Sequence, residues 1–136
     1  MGLKKGVKQL VAEAAERIEA HTPQDAQAFV DDADTVFVDI RDVRELEREG
    51  MIPGAFHAPR GMLEFWVDPE SPYHKEVFSS GKKFVFYCQS GWRSSLATAT
   101  LLDMGLENIS HVEGGFSAWK KAGGPVVDKP EKPGKS

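Results

Sequence analysis

Two short runs of nearly unbroken apolar residues, β-branched and aromatic, constrain this chain more than any other feature. They are Thr35-Val36-Phe37-Val38-Asp39-Ile40 and Phe84-Val85-Phe86-Tyr87-Cys88, with Ile109-Ser110-His111-Val112 reading as a further strand. A strand with one wet face alternates apolar and polar residues; a run without that alternation is covered on both faces, as in a parallel sheet. Parallel neighbours need crossover connections, and helical signals follow these runs. Val43–Glu49 reads as a short helix stopped by Gly50, and Leu96, Ala97, Thr100, Leu101 and Met104 mark one face of a helix ending at Gly105. The pattern predicts one α/β domain with a mostly parallel sheet.

The remaining segments fit around that frame. Val7, Leu10, Val11, Ala14, Ala15 and Ile18 recur at helical spacing and predict a helix with one apolar packing stripe, with membrane association as the minor alternative. It ends early if Arg17–Ala20 forms a short strand instead. Thr22-Pro23-Gln24-Asp25 opens a second helix, with Thr22 as N-cap and Pro23 in the first turn, and Ala26, Phe29 and Val30 inward. Ala55–Ala58 reads as a very short strand. Leu63–Val67 and Tyr73–Phe78 read as short helices, and Phe116–Lys121 as the last helical piece. The expected organisation is an N-terminal helix over 1–17 packed on a domain over 18–127, followed by a disordered tail over 128–136.

Composition excludes several classes. The 136 residues suffice for one domain with a real core. A net charge of −4, with scattered Lys and Arg, argues against nucleic-acid binding. The chain has one cysteine, so there is no disulfide framework, two-cysteine redox motif or cysteine-rich zinc site. His21, His57, His74 and His111 have no metal-ligand spacing, and no glycine-rich nucleotide motif occurs, so neither a metal nor a cofactor is expected. Glutamates interrupt the N-terminal apolar stretch, no run is long enough to span a membrane, and Gly6 stands where a myristoylation signal needs Ser or Thr. A free thiol suits a reducing compartment, and the expected location is cytoplasmic.

The chemistry is expected at that cysteine. Cys88 ends a strand and Gln89-Ser90-Gly91-Trp92-Arg93-Ser94 follows, with the next helix starting near Ser94. In parallel α/β sheets, sites lie beyond the carboxyl ends of strands. The turn can aim backbone N–H groups at the sulfur, the helix start places positive potential there, and Gly91 lets the chain curl back. Cysteine is often merely buried, but this combination points to a thiolate or an anionic sulfur adduct. Arg93 either supplies charge or braces the loop.

The segment resembles the active-site loop of the rhodanese family, Cys-x-x-Gly-x-Arg followed by Ser or Ala; Cys88, Gly91, Arg93 and Ser94 match without a gap. Asp39-Ile40-Arg41 with Glu45, then Gly50–His57, resemble the family's first characteristic region. Gly114-Gly115-Phe116 with Trp119, then Ala122–Val126, resemble its last. The resemblance implies a five-stranded, mostly parallel sheet flanked by helices on both faces, and sulfane-sulfur transfer. Cys88 would take sulfur from a donor such as thiosulfate, become a persulfide, and pass the outer sulfur to cyanide or to a thiol, including a protein thiol. The amides of Gln89, Ser90, Gly91, Trp92, Arg93 and Ser94 would cradle that sulfur.

Two departures bear on substrate. The loop has Arg93 as its only cation, with neutral Gln89 and bulky Trp92, so a donor other than thiosulfate is open. Trp92 could shield the persulfide, meet a partner, or act as a packed lid. Protein tyrosine phosphatases place one more residue between cysteine and arginine, which argues against phosphate chemistry; Asp68 is a distant candidate for its general acid. Among supporting residues, Asp39 is expected to accept loop N–H bonds and pair with an arginine, and Arg41 to pair with Glu45 at helical spacing. Arg60 reads either as a pocket-rim cation or as a surface arginine. His57 reads as holding the adjoining loop, with general base as the lesser alternative. A fold of this family can also serve as a non-catalytic binding or regulatory module, which is the rival reading.

Overall fold

Thr35–Asp39 (β2) and Lys83–Tyr87 (β4) run side by side in parallel through the centre of a five-stranded sheet in the computed structural model, which describes residues 2–130. Ile109–Val112 (β5) pairs with the far edge of β4, and Ala20–His21 (β1) with β5; Phe56–His57 (β3) pairs with β2. The order is β1-β5-β4-β2-β3 and every pairing of these strands is parallel.

Covering both faces explains the unbroken apolar runs. Val38, Phe84, Phe86 and Cys88 join Leu63 and Val67 of the helix Leu63–Val67 (α4), and Ala97 and Leu101 of Trp92–Asp103 (α5), in one apolar cluster. Their neighbours in sequence, Phe37, Val85 and Tyr87, face the other cluster, with Ala26 of Pro23–Ala26 (α2) and Phe116 and Trp119 of Gly115–Lys121 (α6). Successive side chains of a strand point to opposite faces, so a strand sandwiched between helices must be apolar at every position.

Local signals place the ends. Thr22 caps α2 by accepting the Asp25 N–H, and Val43–Glu49 (α3) carries a reciprocal capping box between Asp42 and Glu45. The helix expected over Tyr73–Phe78 is instead a series of turns ending in a short 3-10 helix, Glu76–Ser79. The Lys75 N–H donates to Trp66 O, the Tyr73 N–H to Ser71 Oγ and the His74 ring bonds Trp66 O, so long-range and side-chain bonds replace helical ones.

The N-terminal helix Val7–Arg17 (α1) lies along α5. Its apolar stripe is covered less than expected. Ala14 alone is buried, while Val7 is 51% and Leu10 42% exposed, because α1 meets α5 from outside the sheet's two layers. Met51 and Val127 form an antiparallel bridge that carries the chain back to the domain. Of the tail expected over 128–136, residues 131–136 lie outside those described. Among the described residues, no helix is long and apolar enough to cross a membrane.

Candidate active site

Strand β4 delivers Cys88 to the carboxyl edge of the sheet, between β5 and β2. α5 begins at Trp92, two residues before the expected start, with Gly91 as its N-cap at φ +100°. That left-handed conformation strains any residue with a Cβ, and it turns the chain so that its own N–H returns to the sulfur. The Gly91 N–H donates to Cys88 Sγ at 3.2 Å and the Ser94 N–H at 3.4 Å. Ser94 Oγ lies 3.6 Å from the sulfur. Cys88 has no exposed surface. The residue thus joins the apolar cluster on one side, while its sulfur meets two backbone donors and a hydroxyl at the positive end of a twelve-residue helix.

The loop is held from behind by α6. The Phe116 N–H donates to Cys88 O at 2.8 Å and the Ser117 N–H to Gln89 O at 3.0 Å. The approach requires glycine at 115: a Cβ there would stand 2.5 Å from Cys88 O, at φ +65°. In a trans peptide C=O and N–H point in opposite directions. Anchoring these two carbonyls on α6 therefore turns the N–H groups of Gln89 and Ser90 away from it. Among the described residues only the amides of Gly91 and Ser94 reach Sγ; those of Gln89, Ser90, Trp92 and Arg93 do not.

Two ionic assemblies tie the loop to the rest of the edge. Arg93 places both terminal nitrogens on Glu45, at 2.8 and 2.9 Å. Hydrogen bonding from Arg93 holds the Glu45 carboxyl below the usual carboxylate range, and Glu45 in turn raises the Arg93 pKa. The expected Arg41–Glu45 pair does not form. Glu45 sits at the third position of α3, in the capping box, and Arg41 precedes the Asp42 cap on non-helical backbone; spacing by four brings side chains together only when both lie on the helix.

Arg41 turns inward and has no exposed surface. It donates to Asp39 through Nε at 3.0 Å and Nη2 at 2.7 Å, to Gly50 O at 2.8 Å, and to Gln89 Oε1 at 2.9 Å. Its guanidinium lies 4.4 Å from the centre of the Phe116 ring. Burial opposes its charge, but the Asp39 carboxylate outweighs that effect and raises its pKa. Asp39 also accepts the Arg41 N–H at 3.0 Å. Gln89 completes the assembly by donating to Ser117 Oγ at 3.0 Å and Glu49 at 3.2 Å.

His57 donates from Nε2 to Arg41 O at 2.7 Å, on the loop after β2. Arg60 pairs with Glu64 at 2.7 Å and does not line the groove beside the cysteine loop. That groove, about 280 Å³, is lined by Ser90, Gly91, Trp92, His111, Glu113 and neighbours. Trp92 is 46% exposed. Asp68 lines a separate groove with Phe78 and Met104. Among the described residues no cluster of His, Cys, Asp or Glu could hold a metal ion.

His111 was not singled out in the sequence for chemistry, yet its Nδ1 lies 2.8 Å from Ser94 Oγ. Only the adjacency of β4 and β5 puts it there; a histidine within an apolar strand is the one signal the sequence carries. Gly115 and Ser117 were missed as loop supports for the same reason.

The model of the rhodanese-like domain matches residues 22–122. The chain belongs to the rhodanese family. It is 34% identical over 102 residues to a sulfurtransferase of Allochromatium vinosum, an alignment covering 75% of this chain and 87% of the relative. Among solved structures, a Rhodopseudomonas palustris protein of unknown function, named a possible tyrosine phosphatase, superposes with TM-score 0.90 at 53% identity, covering 93% of this chain and 98% of that one. The polysulfide-sulfur transferase homodimer of Wolinella succinogenes superposes with TM-score 0.67 at 27% identity, covering 90% and 87%. Three other curated relatives are longer, and this chain spans between 24% and 66% of their length.

Proposed function

We propose that this rhodanese is a sulfurtransferase that carries sulfane sulfur on Cys88. The observation that carries the reading is the convergence of the Gly91 and Ser94 amides and the Ser94 hydroxyl on one sulfur at the start of α5. Such donors favour a negative sulfur. The Cys88 thiolate attacks the outer sulfur of a donor such as thiosulfate. An S–S bond forms, the donor's S–S bond breaks, and sulfite leaves with the bonding pair. Cyanide or an external thiolate then attacks the outer sulfur of the persulfide, and the Cys88 thiolate departs. The amides of Gln89, Ser90, Trp92 and Arg93, unused by the resting sulfur, are the donors for the outer one.

With a single cysteine, the persulfide is not resolved within the chain, so the acceptor is external. No metal or cofactor enters the reaction. Because Cys88 is covered at rest, loading requires the groups that cover it to move aside. An unpaired thiol of this kind suits a reducing, cytoplasmic setting. We take 18–127 as the working domain and 1–17 as an added helix.

Intact mass after incubation with thiosulfate or polysulfide tests the reading. A gain of one sulfur atom, lost on adding cyanide and absent in Cys88→Ser, supports it. No adduct from any sulfane donor, with the fold intact, favours a non-catalytic module instead. The phosphatase name of the Rhodopseudomonas palustris relative gives a second reading. Against it, four residues separate Cys88 from Arg93, and the Arg93 fork is occupied by Glu45 rather than free for phosphate. Hydrolysis of a phosphotyrosine peptide dependent on Cys88 would decide for it.

A further inference from the structure

Cys88 is sealed from solvent, yet an attacking sulfur must first lose its proton. A route for that proton leaves the inner side of the loop. Ser94 Oγ stands 3.6 Å from Cys88 Sγ and 2.8 Å from His111 Nδ1, and all three residues are buried. The alternative acceptor for the Ser94 hydroxyl, Gly91 O, is a long 3.4 Å away. The His111 backbone is pinned in β5, its N–H donating to Glu19 O at 3.1 Å. Nε2 of its ring makes no hydrogen bond among the described residues, and the ring lines the groove shared by Ser90, Gly91 and Trp92. Burial, reinforced by His21 on β1, lowers the His111 pKa to about 4, so the ring is neutral at pH 7. Glu113 is the carboxylate lining that groove, and Arg93, the cation of the loop, is turned to Glu45.

A neutral imidazole has one N–H, and a hydroxyl has one proton. With a thiol, S–H donates to Ser94 Oγ, Oγ–H donates to Nδ1, and the ring proton sits on Nε2. With a thiolate, the sulfur has nothing to donate, so Oγ–H turns to the sulfur and Oγ accepts from Nδ1–H. We propose that Ser94 and His111 form a proton relay that empties the buried Cys88 thiol into the groove. The S–H proton moves to Ser94 Oγ, the Oγ proton moves to His111 Nδ1, and the Nε2 proton passes to water in the groove. The S–H pair remains on sulfur as the thiolate lone pair, and the imidazole changes tautomer without resting as an imidazolium. The relay rests on Cys88 as the reacting group.

Ring ¹⁵N shifts of His111 across a pH titration test it, alongside thiolate absorbance at 240 nm with Cys88→Ser as blank. The relay requires His111 to pass from the Nε2–H to the Nδ1–H tautomer at the same midpoint as thiolate formation, and Cys88→Ser to lack the change. A ring that keeps one tautomer while the thiolate forms overturns it. In folded His111→Leu and Ser94→Ala variants the absorbance midpoint moves to higher pH by about one unit, as loss of a hydrogen bond to a charged group predicts. Adding His111→Leu to Ser94→Ala shifts it no further, because His111 acts through the hydroxyl; an additive shift overturns the relay. His111→Asn restores the midpoint by keeping a donor to Ser94. A wild-type chain that never loads sulfur but shows the coupled tautomer change keeps the relay and rejects the sulfurtransferase reading.

Discussion

Arg93, in the first turn of α5, and Glu45, in the first turn of α3, meet through two hydrogen bonds of 2.8 and 2.9 Å across 48 residues of sequence. One carboxylate thereby closes the α3 capping box and anchors the cysteine loop.

Glu45→Gln keeps the shape and loses the charge. The expected cost is about 1 kcal/mol in urea melts, modest because the Arg93 side chain is 42% exposed. Slower sulfur loading accompanies it. The Glu45 pKa is lowered on folding, so its contribution is complete above the unfolded carboxylate range and fades as pH falls through the folded value. A Glu45→Gln stability curve that converges with wild type in acid is the signature.

Asp39→Ala leaves the Arg41 charge buried without its partner. The expected loss is about 3–5 kcal/mol, far larger than for Glu45. Replacing both residues with apolar ones of similar volume should recover much of it, measurable as a double-mutant cycle in denaturant melts. Equal and additive losses would contradict the pairing.

His111 governs a separate window. Its pKa falls from 6.5 to about 4 on folding, so below pH 6.5 the unfolded chain binds more protons than the folded one. Its contribution is complete above about pH 6.5 and declines as pH falls toward 4, by on the order of 3 kcal/mol. His111→Asn should flatten that limb of the stability-versus-pH curve.

Gly115→Ala places a methyl 2.5 Å from Cys88 O at a positive φ. Stability should fall by about 2 kcal/mol or more. Loading by sulfane donors should fall with it, because the carbonyls that α6 holds are those that turn the loop amides. The mass assay and a thermal melt read the two effects separately.

Much of the frame was legible from local rules. Thr22 and Gly50 mark helix ends because capping acts within a few residues. Thr35–Asp39 declared two buried faces through missing alternation. Where long-range bonds intervened, local reading failed: Tyr73–Phe78 gave way to Trp66 O and Ser71 Oγ, and Arg41 abandoned Glu45 for Asp39.

By itself the sequence determined that a cysteine ends a sandwiched parallel strand and meets a helix after a glycine turn, since periodicity and turn chemistry are short-range properties. Strand order lies beyond that range. Only the tertiary structure set β5 beside β4, bringing His111 to Ser94, swung Gly115 against Cys88 O, and gave Arg93 to Glu45, because those contacts arise from packing separate helices and strands around one sheet edge.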